Sequence, residues 1–226
     1  MSNQNDTLSG LNFNNIVEQK SDSTRRNEKN EPHDEPGQIP MFGVICFSTA
    51  TLLLGISHFN AFDNPMLLTL FGFFIGGLGQ LISGIMEYKE KYYIDGNVFF
   101  YFALNWGITT CYDIFPGLGL MEPLGHKEYG YHNLLGCFFT LIFCIQNFKS
   151  PSILNRISFT TTFLGFIFST IGSFCDRKAL MKISGVFNII TAVLAYYLAF
   201  VNILNGRYNK VYFPTLDGKY LGDKLV

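Results

Sequence analysis

The sequence predicts an all-α, polytopic membrane protein with six transmembrane helices and a path through each protomer. Three observations lead there. From Met41 onward charge nearly vanishes from long stretches: Met41 to Met86 holds only Asp63, and Gly96 to Met121 only Asp113. Tyr129 to Phe148, Ile157 to Cys175 and Ile183 to Gly206 hold no charged residue at all. A bilayer core about 30 Å thick needs about 20 apolar residues in helix, and these stretches supply them. Short connections marked by Pro and Gly separate the stretches, and polar residues inside them recur at helical spacing.

Residues 1–40 are a different material. They carry eleven charged residues and one aromatic, Phe13, and cannot bury a core. They read as a disordered cytoplasmic tail, and without an apolar run they do not read as a secretory signal. Residues 41–204 form the membrane domain, and residues 205–226, polar with Pro214, a second cytoplasmic tail.

The first helix is expected over 41–59, with Phe47, Thr51, Gly55 and His58 loosely on one face. The turn Asp63-Asn64-Pro65 leads into a second helix over 66–88. There Gly76, Gln80, Ser83 and Glu87 fall at steps of four, three and four. A third helix over 97–116 carries Asn105, Thr109 and Asp113 and ends at Pro116-Gly117. A fourth covers 131–148. A fifth, over 156–175 behind Pro151, carries Ser158, Thr162, Gly165, Ser169 and Gly172. A sixth, over 181–204, carries Ser184, Asn188, Thr191, Ala195 and Asn202. Polar side chains cannot face lipid cheaply, so these stripes should point into the bundle. Small residues alone favour helix packing. The longer polar side chains on several helices favour a polar path.

Two carboxylates stand apart. Glu87 closes the second span beside Lys89 and Lys91; it reads either as an interfacial charge or as a group at a pore mouth. Asp113 lies deeper, where a charged carboxylate costs about 2.5–3.5 kcal/mol, or sits at the headgroup level. Desolvation favours the neutral form of a carboxyl. Asp113 and Glu87 are therefore the candidates for a proton relay.

Other chemistries find no footing. The four histidines, His33, His58, His126 and His132, form no ligand pair, and no metal or cofactor site is expected. The five cysteines sit in or beside apolar segments as small apolar residues. No catalytic constellation points to an enzyme. The net charge of −1 says nothing about nucleic acid, and with no basic arm present a nucleic-acid partner is not expected. Six spans put both termini on one side. Arg25, Arg26, Lys29, Lys89, Lys91, Lys149, Arg156, Arg207, Lys210 and Lys219 lie there, against Lys127, Arg177, Lys178 and Lys182 opposite. The bias places the termini in the cytoplasm.

The second span and the residues just after it carry a resemblance. The pattern Gly-Gly-x-x-Gln-x-x-x-Gly-x-x-Glu-Tyr is met by Gly76, Gly77, Gln80, Gly84, Glu87 and Tyr88. A following Gly-Asn-Thr-Phe appears as Gly96-Asn97-Val98-Phe99. The last span, from Ile183-Ser184-Gly185 through Ala195 to Leu204-Asn205 and Pro214, is also similar. The chain from about residue 37 to 214 thus resembles the acetate uptake transporter family, small permeases for acetate and succinate. Where that family opens with Asn-Pro-Ala-Pro-Leu-Gly-Leu, this chain has Gln38-Ile39-Pro40-Met41-Phe42-Gly43.

The resemblance implies a homo-hexamer in a plasma membrane. It implies a path narrowed by an aromatic of the first helix, a tyrosine of the third and a leucine of the fifth. The matching positions are Phe47, Trp106 (or Gly107) and Thr162, with Ala195 tied to substrate size. Pro40, Gln80, Glu87, Asn97 and Asn188 complete the expected substrate path. The function implied is a channel or proton-coupled permease for small carboxylates. Ammonia or ammonium transport, attached to fungal members, and a non-transporting sensor or scaffold are the alternatives.

Overall fold

The computed structural model describes residues 41–64, 66–148, 150, 152–208 and 213–214. The expected N-terminal tail, Pro40 and most of the C-terminal tail lie outside the described residues. The regular elements among the described residues are six helices. They are α1 (Met41–Ser57), α2 (Met66–Lys89), α3 (Tyr93–Gly117), α4 (His126–Asn147), α5 (Ile153–Phe174) and α6 (Lys178–Tyr208).

Local chemistry sets the helix ends. Asn64 Oδ1 accepts from the Met66 backbone N–H at 2.9 Å and starts α2. Ser152 caps α5, its Oγ accepting from the Asn155 N–H at 3.4 Å. Lys91, with φ of 67°, makes the tight turn from α2 to α3, where the Tyr92 N–H donates to the Glu87 carbonyl at 2.9 Å. Three of the expected boundaries move by four residues or more. α3 begins at Tyr93 rather than 97, α4 at His126 rather than 131, and α6 runs on to Tyr208 rather than 204. Hydropathy marks where a helix meets lipid, whereas backbone hydrogen bonds carry the coil on into polar sequence.

Among the described residues three helices are long and apolar enough to cross a membrane: α2, α5 and the Lys178–Asn205 part of α6; α1 is apolar but shorter. α3 and α4 carry more polar side chains. The chain is a membrane protein of helical class. α5 packs on α4 and α6, α6 on α1, and α2 against both α1 and α3. α3 meets α4 through rings: Tyr101 stacks on Phe139 with centroids 4.3 Å apart, and Tyr112 sets an edge to Tyr129 and His132.

Two features decide how closely the helices approach. Within α2, residues Gly72–Gly79 are π-helical. Such a stretch is rare and usually short. Here Gly76 faces the Trp106 ring so closely that a Cβ would come within 2.6 Å of its Cγ. At the α1–α6 crossing, a Cβ on Gly185 would lie 2.7 Å from the Gly55 carbonyl oxygen, and one on Gly55 would lie 2.9 Å from that of Gly185. Backbone cannot swing aside as a side chain can. Gly185→Ala should therefore force α1 and α6 apart at a cost of about 1–3 kcal/mol. Thermal denaturation in detergent checks this: the midpoint should fall clearly below that of the parent protein.

Candidate functional site

Two cavities lie end to end inside the bundle. The larger, about 400 Å³, is bounded by the later part of α3, the start of α4 and the α5–α6 turn. The smaller, about 80 Å³, is bounded by the starts of α1, α3 and α5 and the later part of α6. Their walls share three residues: Phe47, Phe102 and Thr162. The Phe47 and Phe102 rings are 4.9 Å apart and tilted by 56°. Thr162 Oγ1 donates to the Ser158 carbonyl at 2.7 Å, so its proton is held within α5 and the neck presents no donor there. These three side chains form a mostly apolar neck between the two cavities.

The large cavity is polar on one flank. Asp113 accepts from Thr69 Oγ1 at 2.9 Å. Thr109 Oγ1 and His132 Nε2 are 3.3 Å apart, tying α3 to α4. Ser184 Oγ donates to the Gly165 carbonyl at 2.8 Å, which brings α6 close enough for Asn188 to lie over the bare Gly165. At the mouth, His126 and Asp176 approach to 3.5 Å, both well exposed, with Arg177 and Lys178 beside them. Such an exposed pair adds little to stability. The two cations put positive charge where an anion would enter.

The expected path residues divide. Phe47 and Thr162 lie at the neck, Trp106, Asn188 and Asp113 line the large cavity, and Ala195 lines the small one. Trp106 sits one turn away from the neck, pressed on Gly72 and Gly76, and Gly107 lines neither cavity. The second aromatic of the neck is Phe102.

Gln80, Glu87 and Asn97 line neither of these two cavities. The reason lies in α2, which packs outside the cavity walls and contributes only Leu68 to the large cavity among the described residues. Its polar stripe turns onto α1 and α3 instead. There Gln80 is wholly buried and Glu87 is 2 % exposed. Asn97 is exposed and accepts from the Tyr88 hydroxyl, pinning the end of α2 to the start of α3. Pro40 lies outside the described residues.

Several wall residues escaped the sequence reading: Phe102, His132, Asn133, Asp95 and Asn155. Arg177 and Lys178 were read only as topology signals. Among the described residues no group of three His, Cys, Asp or Glu side chains is placed to hold a metal ion.

The model of the GPR1/FUN34/yaaH family matches residues 26–217. This chain belongs to that family. A relative, the succinate-acetate/proton symporter SatP of Escherichia coli (strain K12), is 26% identical over 172 residues, covering 76% of this chain and 91% of the relative. The ammonia transport outward protein 2 of Saccharomyces cerevisiae is 26% identical over 171 residues, covering 71% and 59%. The solved structure of the bacterial acetate channel SatP superimposes with a TM-score of 0.75 at 23% identity, covering 80% of this chain and 99% of that one. The fold of this chain is that of the acetate channel.

The two cavities should be reachable from opposite faces of a membrane. With the five native cysteines replaced by serine, Ser169→Cys should react with a membrane-impermeant thiol reagent added on one side. Asn155→Cys should react only from the other.

Proposed function

We propose that this protein is a membrane permease or channel for acetate and similar small carboxylates. The observation that carries the reading is the pair of cavities meeting at Phe47, Phe102 and Thr162 in a chain of this family. The succinate-acetate symporter and the acetate channel among its relatives support it.

The physics is consistent. An anion leaving water needs donors in place of its hydration shell. Arg177, Lys178, Asn133 and Asn188 stand around the large cavity to supply them. The neck has no such donors, and an apolar constriction passes an ion poorly. A carboxylate crosses it more readily as the neutral acid, which couples its movement to a proton. Asp113, in the large cavity, is the proton relay on that side. Glu87 lines neither cavity and acts, if at all, through its neighbour Asp95.

The rest of the proposal concerns placement. Helices α1 to α6 alternate in direction between the two cavities, which supports six crossings with both termini on one face. The lysine and arginine bias makes that face cytoplasmic, so the large cavity opens outward. Plasma-membrane location and assembly as a homo-hexamer follow from the family resemblance. Ammonium movement is a second reading, favoured by the yeast relative's name and by Asp113 and Trp106 in one cavity, an acid and an aromatic face suited to a cation.

Uptake of labelled acetate into proteoliposomes, with protein-free vesicles subtracted, tests the reading. Accumulation should rise with an inward proton gradient. Absence of acetate, succinate and lactate flux from folded protein would overturn it. Two variants report on the neck. Thr162→Leu fills it with apolar bulk and should slow succinate more than acetate. Phe102→Ala should join the cavities and raise acetate flux by about tenfold, the equivalent of roughly 1.4 kcal/mol off the barrier.

A further inference from the structure

The small cavity carries one carboxylate among its lining residues, Asp95, and no lysine, arginine or histidine. We propose that Asp95 exchanges a proton with the permeating carboxylate on the small-cavity side of the neck. The proposal rests on the carboxylate reading above and adds the group that handles the proton on this side.

Geometry comes first. Asp95 lies in the first turn of α3, and Phe102 of the neck follows seven residues later on the same helix, about 10 Å along its axis. The wall between them is apolar, with Phe99, Phe159 and Leu198. Opposite stands Ser158, 8 % exposed, whose Oγ has no hydrogen-bond partner. A buried hydroxyl left unpaired is costly. Asn147 also lines this cavity, its amide nitrogen donating to the Phe143 carbonyl at 3.0 Å. The volume of about 80 Å³ admits a molecule of a few heavy atoms with little water around it.

Charge then decides. Among the described residues no cation pairs with Asp95. From α2, Glu87 lies within charge–charge reach of Asp95 and Glu90 and adds to the negative field. Lys89 and Lys91 are exposed near the end of α2. From α5, Arg156 stands next to Asn155 but lines neither cavity. α4 presents Asn147 here, and α1 and α6 present apolar side chains. An anionic substrate in this cavity therefore meets a carboxylate without a counter-charge. Two carboxylates side by side cannot both stay ionised cheaply, so one proton is shared between them.

The step balances simply. The Asp95 carboxyl gives its proton to a substrate carboxylate oxygen, leaving Asp95 as carboxylate and the substrate as neutral acid. The acid passes Phe47 and Phe102. Asp95 regains a proton from water on its own side. Both partners are carboxylic acids of similar strength, so the transfer is close to thermoneutral. The reverse sequence serves movement in the other direction. The plain alternative is structural, since an acid in a first turn favours the helix dipole.

A pH profile separates the two. Labelled lactate exchange is measured in proteoliposomes at equal pH on both sides, at about pH 7.5 and about pH 5.5, with protein-free vesicles subtracted. At the higher pH, Asp95→Asn should exchange about tenfold or more slower than the parent, within the range for loss of a positioned acid. It should regain much of that rate at the lower pH, where bulk water supplies the proton. Asp95→Glu should restore the parent profile. An Asp95→Asn loss equal at both pH values, or no loss at either, would overturn the assignment, as would failure of Asp95→Glu to restore exchange while its thermal midpoint is unchanged. Absence of lactate, acetate and succinate flux in the parent protein would instead remove the carboxylate reading, and this proposal with it.

Discussion

The contact of Phe47 with Phe102 stands between the two cavities, whose walls meet there. With Thr162 it sets the dielectric that a passing solute must cross. Its position also gives meaning to the rest of the bundle. The cations at one mouth, the carboxyls on either side and the bare glycine under Asn188 all matter because a short apolar step lies between them. α3 is the element on which this depends most. It carries Asp95, Phe102 and Asp113 in order along one helix, an acid on each side of the narrowest point.

Much of this was legible in the residues. Period alone placed the α5 stripe, because Ser158, Thr162, Gly165 and Ser169 fall on one face of an unbroken α-helix. All four line the cavities. The α6 stripe divided by chemistry: Ser184, Asn188 and Ala195 reach the cavities, while Thr191 bonds Thr161 at 2.7 Å to hold α5 and α6 together. Both fates follow from turning polar groups away from lipid, and periodicity does not distinguish them.

The misses have physical causes. Gln80 and Glu87 do face inward, but inward from α2 means toward α1 and α3. Which helix stands outside the cavity wall is a tertiary fact with no local signal. The π-helical stretch at Gly72–Gly79 also breaks the 3.6-residue period on which the stripe was drawn. Phe102 was hidden among 24 phenylalanines, most of which look alike as apolar bulk. Asp95 lies before the expected start of the third helix, outside every stripe drawn on the sequence. Arg177 and Lys178 entered the reading as a bias in charge across the membrane, whereas the α5–α6 turn bends them back over the large cavity.

Trp106 is the one tryptophan of the chain. One face of its indole rests on the π-helical glycines of α2, and the ring also lines the large cavity. Indole emission is sensitive to the polarity and motion of its surroundings. The protein's intrinsic fluorescence is thus a single-site signal from the wall of the larger of these two cavities. Filling of that space, its drying, or a shift of α2 against α3 would register in the spectrum of the unlabelled protein.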